Sequence, residues 1–256
     1  MRSLITFFKK EVTESIRRKR VMIIGIVFFA FGLMNPALTW LTPVLYDLLS
    51  DELAEAGMII GQLSVDALVS WAEFFANMAM AMIAFFCIYC GIFTKEYSSG
   101  TIILVLTKGL ERYKVVVAKA AIMFVVWTCA YWLCFGTTYV LNEMIWDNSV
   151  TVNLALAGVN WWLFGIFAIC LIVLFSVLTS SYVGVLFGAG GTVFGIGLLG
   201  IIPFVDRYLP TALMDGTSLI AGAQSAGYYV PSILITIGLC IGCIALSIPL
   251  FNKKQL

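Results

Sequence analysis

Two pairs of cysteines, Cys87/Cys90 and Cys240/Cys243, have the CxxC spacing that soluble proteins use for metal binding or dithiol chemistry. The chain has no histidine, so no imidazole is present to complete a mixed zinc site, ligate haem or relay protons. All seven cysteines lie in long apolar runs, where cysteine acts as a small apolar side chain. We therefore expect neither a bound metal nor external disulfides.

The glycine patterns do not indicate a nucleotide-binding site. Gly195, Gly197 and Gly200 spell GxGxxG, but the match lies inside an apolar run with no preceding strand, which the dinucleotide-binding pattern requires. No GxxxxGK(S/T) occurs, so the chain has no P-loop of its own. We expect that the chain is not an enzyme and binds no cofactor. The small-xxx-small pairs, typical of close helix packing, are Gly184/Gly188, Gly191/Gly195 and Gly238/Gly242.

The composition indicates that these residues are positioned by membrane-spanning helices. Of 256 residues 62% are hydrophobic and 11% are charged, and the mean hydropathy is +1.03, far too apolar for a soluble domain. A helix needs roughly 20 apolar residues to cross the hydrocarbon layer. Six windows qualify, at about 21–45, 70–93, 115–141, 158–179, 182–205 and 230–251. The fourth and fifth windows are separated by little more than Ser180 and Ser181. The alternative there is that the two windows form one re-entrant pair instead of two full spans.

The basic residues predict which connections face the cytoplasm. Residues 1–20 carry seven Lys or Arg, residues 94–119 carry five and the last four residues carry two, which leaves Arg207 alone on the other side. Basic residues concentrate in cytoplasmic loops of membrane proteins. The sequence therefore predicts an all-α integral membrane protein with six spans and both termini cytoplasmic. We expect a multi-pass protein of the cell membrane, the cytoplasmic membrane of a bacterium, with the connection 206–229 external.

Residues 1–20 are predicted to form an interfacial helix ahead of the first span. An apolar residue recurs every fourth position, and basic side chains are available for lipid headgroups. A solvated basic tail is the alternative, which the regular spacing disfavours. The apolar positions are Leu4, Phe8, Val12 and Ile16, and the basic ones are Lys9, Lys10, Arg17 and Arg18.

The spans carry no ionisable side chain near the predicted bilayer midplane, where a proton- or sodium-driven carrier usually keeps one. Glu73, the nearest, lies at the outer end of the second span. If the chain moves a substrate uphill, the driving force therefore enters from outside the membrane. The deep polar residues are neutral, and ordinary interhelical hydrogen bonds would explain most of them: Asn35, Thr39, Asn77, Thr128, Asn160, Thr192 and Thr236.

The polar connection 94–114 contains an apolar block, residues 102–106, that is too short to form its own core. Ser98, Ser99 and Gly100 precede the block and are typical of a helix N-cap, so we predict a short helix along the membrane surface. The helix either rests on lipid headgroups or docks a soluble subunit.

At these residues the sequence resembles the type 2 permeases of ATP-binding-cassette (ABC) transporters. The resemblance rests on Glu96, then Gly100 and Thr101, then the aliphatic block, then Arg112 and Lys119 at the start of the next span. It extends over the chain through the basic interfacial helix, the six spans and the long external connection before the last span. The chain departs from the family pattern at residues 108–111, where proline and serine are common.

The resemblance implies several partners. They are cytoplasmic ABC ATPase subunits, which bind ATP and Mg²⁺, a second permease copy or homologue, and the lipid bilayer, and no nucleic acid is among them. The segment 94–114 would be the coupling segment that contacts the ATPase. The residues that the resemblance places in this contact are Glu96, Gly100, Thr101, Ile102, Leu104, Leu106 and Arg112.

By the same analogy the second and fifth spans line a central cavity whose access alternates. The implied function is ATP-driven export of an amphiphilic cargo such as a lipid, a drug or an antimicrobial peptide. A membrane scaffold, or a sensor or immunity protein, is the alternative, and methionines at these positions also serve plain packing. The candidate residues of the translocation path are Asn35, Thr39, Asn77, Met78, Met82 and Thr192.

Overall fold

The described part of the chain forms ten α-helices, with short 3₁₀ turns in three of the connections between them. The computed structural model describes residues 2–55, 65–107 and 109–254, and no β-strand occurs in those ranges. The connection predicted between the first two spans falls partly on residues 56–64, outside the described residues. The helices are α1 (Arg2–Arg17), α2 (Arg20–Glu55), α3 (Ala67–Tyr89), α4 (Gly91–Ser98), α5 (Thr101–Thr107), α6 (Arg112–Ile145), α7 (Leu154–Leu178), α8 (Tyr182–Leu199), α9 (Gly216–Ile220) and α10 (Val230–Lys253).

Among the described residues, six helical segments are long and apolar enough to cross a membrane, which confirms the prediction of an all-α protein with six spans. They are Arg20–Leu48, Ala67–Ser98, Arg112–Ile145, Leu154–Leu178, Tyr182–Leu199 and Ala226–Lys253. The second segment joins α3 and α4 across Cys90. The segment of α8 has 18 residues, about 27 Å of helix, so it is long enough to span without a re-entrant turn.

A glycine on α2 lets α6 approach closely, and a threonine on α6 binds the carbonyl that a proline leaves without a donor. Pro36 lies inside α2 and has no N–H to donate to the carbonyl of Gly32, four residues earlier. The hydroxyl of Thr138 on α6 donates to that carbonyl at 3.1 Å. A side chain at position 32 would meet the carbonyl of Cys134 at 2.9 Å. The glycine thus permits the approach, and the threonine satisfies the carbonyl that the proline leaves free.

Aromatic side chains form the centre of the bundle, where α3, α6 and α7 meet. Trp71, Trp127 and Trp161, one from each of these helices, are fully buried. Each indole N–H donates to an oxygen: Asn148 Oδ1, the Trp162 carbonyl and the Met214 carbonyl respectively, at 2.8, 3.1 and 2.8 Å. The large rings therefore bury apolar area without leaving a polar atom unpaired.

The connection from α8 to α10 folds against one end of the bundle. It consists of the 3₁₀ turns Asp206–Tyr208, Pro210–Met214 and Ala226–Tyr229 together with α9. The carbonyl of Ile220 accepts from the N–H of Val152 at 2.9 Å, which ties this connection to the segment before α7. The predicted external connection 206–229 is thus a packed cap.

At the other end of the bundle, α1, α4, α5, the start of α6 and the end of α10 come together. We call this the basic end, because most of the Lys and Arg residues lie on these elements. Helices α8 and α10 lie at the periphery, since buried residues are few on both: Val185 and Ala189 on α8, and Ser232, Thr236, Ser247 and Phe251 on α10.

Candidate functional site

The predicted short helix in the connection 94–114 is present as α5, Thr101–Thr107. It is separated from α4 by Gly100, whose φ of +66° lies in the left-handed region that favours glycine. The serines before it have a different role from the predicted N-cap. The hydroxyls of Ser98 and Ser99 donate to the carbonyls of Lys95 and Glu96, so they satisfy the end of α4 rather than the start of α5.

Helix α5 turns one apolar residue inward and two outward. Ile102 is 2% exposed and belongs to the core, whereas Ile103 is 46% and Leu104 62% exposed. Thr101 is also exposed, and Leu106 is half-buried. Because Ile102 anchors the helix, Ile103 and Leu104 form a fixed apolar projection at the basic end.

A cleft of about 300 Å³ lies beside this projection. Residues from α4 and α5 line one side, and Ser180 in the connection between α7 and α8 lines the other. The hydroxyl of Tyr97 donates to the carbonyl of Ser176 at 3.1 Å and holds the two sides together. The projection and the cleft give the basic end a shape that another protein can engage.

Four charged side chains form a closed ring behind α5, which we call the charge ring. Lys119 Nζ lies 3.1 Å from Glu11 Oε2 and 3.1 Å from Glu96 Oε2. Lys10 Nζ lies 3.0 Å from Glu11 Oε1 and 3.1 Å from Glu96 Oε1. Lys119 and Glu11 are 1% and 4% exposed. The ring joins α1, α4 and α6. Its Lys119–Glu11 pair is shielded from water, whereas Lys10 is 43% exposed at its side chain, so the buried carboxylate of Glu11 depends most on Lys119.

Neighbouring charges favour the ionised forms of Lys10 in the ring and of Glu14 beside it. Burial alone would lower the pKa of Lys10, but the carboxylates of Glu11, Glu96 and Glu14 outweigh it and raise that pKa. Burial would raise the pKa of Glu14, yet the hydrogen bond from Lys10 lowers it. Carboxylate oxygens of Glu11, Glu14 and Glu96 lie within 4.8 Å of one another, a spacing that could hold a metal ion. The two ammonium groups already bind these oxygens, which favours ion pairing over metal ligation.

Arg112 and Lys254 connect the basic end to the last span. The guanidinium of Arg112 donates to the carbonyls of Phe251, Asn252 and Lys254 at 3.1, 3.2 and 2.7 Å. Lys254 Nζ donates to the carbonyls of Val177 and Thr179 at the end of α7. Burial lowers the pKa of Lys254. Two cations thus satisfy the carbonyl ends of α10 and α7, where positive charge is favoured.

A family model described as "ABC-2 family transporter protein" matches residues 5–256. The chain belongs to the ABC-2 transporter family. It is therefore a multi-pass membrane subunit of a transporter, of the kind whose ATPase activity lies in a partner. No curated protein matches the chain.

In this ABC-2 permease the predicted ATPase contacts separate into two groups. Gly100, Thr101 and Leu104 reach the surface or its edge, with Leu106 half-buried. Glu96, Ile102 and Arg112 instead contact the permease itself, through the charge ring, the core and the end of α10 respectively. The exposed Ile103 was not singled out by the sequence, because every residue of the block is apolar.

The predicted translocation residues come together only in part. Asn77 Nδ2 donates to Asn35 Oδ1 at 3.0 Å, so these two meet between α2 and α3. The hydroxyl of Thr39 donates to the Asn35 carbonyl of its own helix. Met78 and Met82 pack in the core at 1% and 7% exposure. The remaining candidate, on α8, donates to a carbonyl of its own helix: Thr192 Oγ1 to Gly188 at 2.7 Å.

Sequence reasoning missed the charge ring as a unit. Lys119 is a lone ammonium inside an apolar run, and Glu11 falls between apolar positions of α1. A charge at such a position almost always has a partner when buried. That signal indicates two buried charges, but only the fold shows that Lys10 and Glu96 complete the set.

Proposed function

We propose that the chain is the permease subunit of an ATP-driven ABC exporter. Two permease copies or homologues associate with two cytoplasmic ABC ATPases, which bind ATP and Mg²⁺. Both termini and the basic end face the cytoplasm. The cargo is amphiphilic, such as a lipid, a drug or an antimicrobial peptide, because the spans offer apolar surface with neutral polar groups and carry no midplane charge.

One observation carries the proposed ATPase contact: α5 holds two apolar side chains out of the permease at its most basic end. Ile103 and Leu104 are 46% and 62% exposed, and burying an aliphatic side chain fully is worth about 1.5–3 kcal/mol. Ile102 fixes the helix beneath them. The ATPase would therefore receive these side chains in an apolar cleft of its own.

The contacts behind α5 supply a route from the ATPase to the spans. Glu96, at the end of α4, is held by Lys10 on α1 and by Lys119 on α6. Arg112, which follows α5, holds the end of α10. A displacement of α5 would thus act on three spans through ion pairs and hydrogen bonds. This gives ATP binding a physical means of changing the access of the cavity.

The peripheral helices support association with a second permease. Gly190, Gly191, Gly195 and Gly197 on α8 have open space where a side chain would stand. Small residues of this kind let two helices approach closely in a membrane. We propose that α8 faces the second copy and the cavity, and that Asn35 with Asn77 supplies the polar contacts of the path from α2 and α3.

Leu104→Asp is expected to release the ATPase from the purified complex while leaving the permease inserted. The substitution removes an apolar contact and drives a carboxylate into an apolar cleft, and about 1.4 kcal/mol already weakens binding tenfold. Co-purification of the ATPase with the tagged permease, and cargo-stimulated ATP hydrolysis, measure the effect.

Val150→Asp is the matched control, because Val150 is 50% exposed at the opposite end of the bundle. The Val150→Asp variant is expected to keep both ATPase co-purification and cargo-stimulated ATP hydrolysis. Full co-purification and transport by the Leu104→Asp variant would mean that α5 only rests on lipid. A permease that never associates with an ATPase would support a scaffold, sensor or immunity role.

Single cysteines introduced into a cysteine-free chain are expected to show the proposed topology. Ser149→Cys and Thr217→Cys would react with a membrane-impermeant maleimide added outside intact cells, because both positions lie at the end opposite α5. Ser98→Cys would react only after the membrane is opened. External labelling at position 98 would place the basic end outside and contradict the proposal.

A further inference from the structure

An apolar groove runs between α1 and the two spans against which it packs. Its volume is about 450 Å³, within the range of about 300–1,000 Å³ typical of ligand pockets. All the side chains that line it are apolar or weakly polar, and α1, α2 and α6 each contribute some of them. They include Phe8, Val12, Ile16, Ile24, Val126 and Cys129.

The groove is open where a glycine replaces a side chain on α2. A Cβ placed on Gly25, which lines the groove, would meet no atom within 4 Å. Across from it, Cys129 on α6 is exposed. The groove therefore has space for an elongated apolar group at the depth of the membrane-spanning helices.

Positive charge lies at the mouth of this groove. Ile16 and Val21 line it and flank residues 17–20, which are four consecutive basic residues where α1 turns into α2. Lys19 has a φ of +57°, so the turn between the helices is sharp. In the described part of the chain, Lys9, Arg17 and Lys19 are exposed cations with no acidic or hydrogen-bonding side-chain partner, in contrast to Lys10 and Arg18.

We infer that the groove is a binding site for one anionic phospholipid, separate from the proposed cargo path and independent of the ATPase. An acyl chain lies between α1, α2 and α6, and the phosphate and anionic headgroup contact Arg17 and Lys19. Charge complementarity selects an anionic lipid, since an apolar groove alone would accept any acyl chain. An acyl chain combined with a polybasic patch also gives far firmer binding than either signal alone.

The first test measures lipid selectivity on the intact chain. The permease is reconstituted in bilayers of equal phosphatidylglycerol and phosphatidylethanolamine, extracted gently, and its retained lipid is quantified by native mass spectrometry. Phosphatidylglycerol is expected to be retained preferentially. Replacing Arg17 and Lys19 with glutamine is expected to lower that preference by about fivefold per cation. Equal retention of both lipids by the unaltered chain would overturn the inference.

The second test fills the groove. Gly25→Phe places a ring in the open space and is expected to abolish retention of phosphatidylglycerol. Gly238→Phe on α10 is the matched control, because a side chain there also meets no atom within 4 Å, and it is expected to retain the lipid. Unchanged retention in the Gly25→Phe variant would overturn the inference. A change in oligomeric mass with unchanged lipid would assign the groove to a second copy instead.

A third measurement needs no groove-filling variant. Outside the groove Cys87 is exposed, and Cys240 and Cys243 are half-buried. With these three replaced by serine, alkylation by N-ethylmaleimide therefore reports mainly on Cys129 in the groove. Phosphatidylglycerol added to the detergent-purified chain is expected to slow the alkylation of Cys129 more than phosphatidylethanolamine does. Equal protection by the two lipids would contradict a headgroup-selective site even if the Gly25→Phe variant fails to fold.

Discussion

Replacing Lys119 with methionine is expected to destabilise the folded permease by about 3–5 kcal/mol, as is typical when one partner of a buried ion pair is removed. Lys119 lies 3.1 Å from both Glu11 and Glu96, and Glu11 is 4% exposed. Without Lys119 the two carboxylates share Lys10, which is 43% exposed at its side chain. The expected loss is measured by thermal unfolding of the detergent-purified chain.

Two further variants distinguish the effect of breaking the charge ring from the effect of removing any lysine. Lys95→Met removes an exposed ammonium one residue before Glu96 and is expected to change stability by about 0.5 kcal/mol or less. Adding Glu11→Gln and Glu96→Gln to Lys119→Met removes the buried charges together and is expected to restore most of the stability. If Lys119→Met unfolds at the same temperature as Lys95→Met, the charge ring does not stabilise the fold.

A single methyl group added at Gly165 is expected to cost about 1–3 kcal/mol, as is usual for overpacking a dense core. The added Cβ would overlap the indole of Trp127. That ring is fully buried, contacts Phe28 and Tyr131, and donates its N–H to the Trp162 carbonyl, so it has little room to move. Unfolding of the Gly165→Ala variant, compared with the unaltered chain, measures the cost.

The control for this prediction is Gly136→Ala on α6. A Cβ at position 136 would meet no atom within 4 Å, and alanine favours a helix over glycine by roughly 0.5–1 kcal/mol. The Gly136→Ala variant is therefore expected to be as stable as the unaltered chain or more so. Equal stability of the two alanine variants would show that the Trp127 indole can move aside.

The six spans could be predicted from the sequence because the bilayer imposes their length and apolarity directly on the chain. Helix α5 could be predicted for a local reason as well, since Gly100 and polar residues bound its apolar block. The boundary between α7 and α8 needed the structure. Two serines can join two spans or lie in a re-entrant turn, and only the 18-residue helix that follows distinguishes these possibilities.

The direction in which α5 faces could not be predicted, because five consecutive apolar residues carry no amphipathic periodicity. Ile102 and Leu104 look equivalent in the sequence, yet one is 2% and the other 62% exposed. The partners of Glu96 could not be predicted from the sequence either. Lys10 is 86 residues away along the chain, and such long-range pairing depends on the packing of α1 rather than on any local pattern.

The contact between Arg112 and Lys254 joins residues separated by 142 positions, which has a consequence for biosynthesis. A ribosome adds about 5–20 residues per second, so Lys254 follows Arg112 by roughly 7–30 s. During that interval α5 and the start of α6 have been made, but the carbonyls that the Arg112 guanidinium binds do not yet exist. The contact of Arg112 with the end of α10 can therefore form only when translation of the last span is complete, and a prematurely terminated chain would lack this contact at the surface proposed to receive the ATPase.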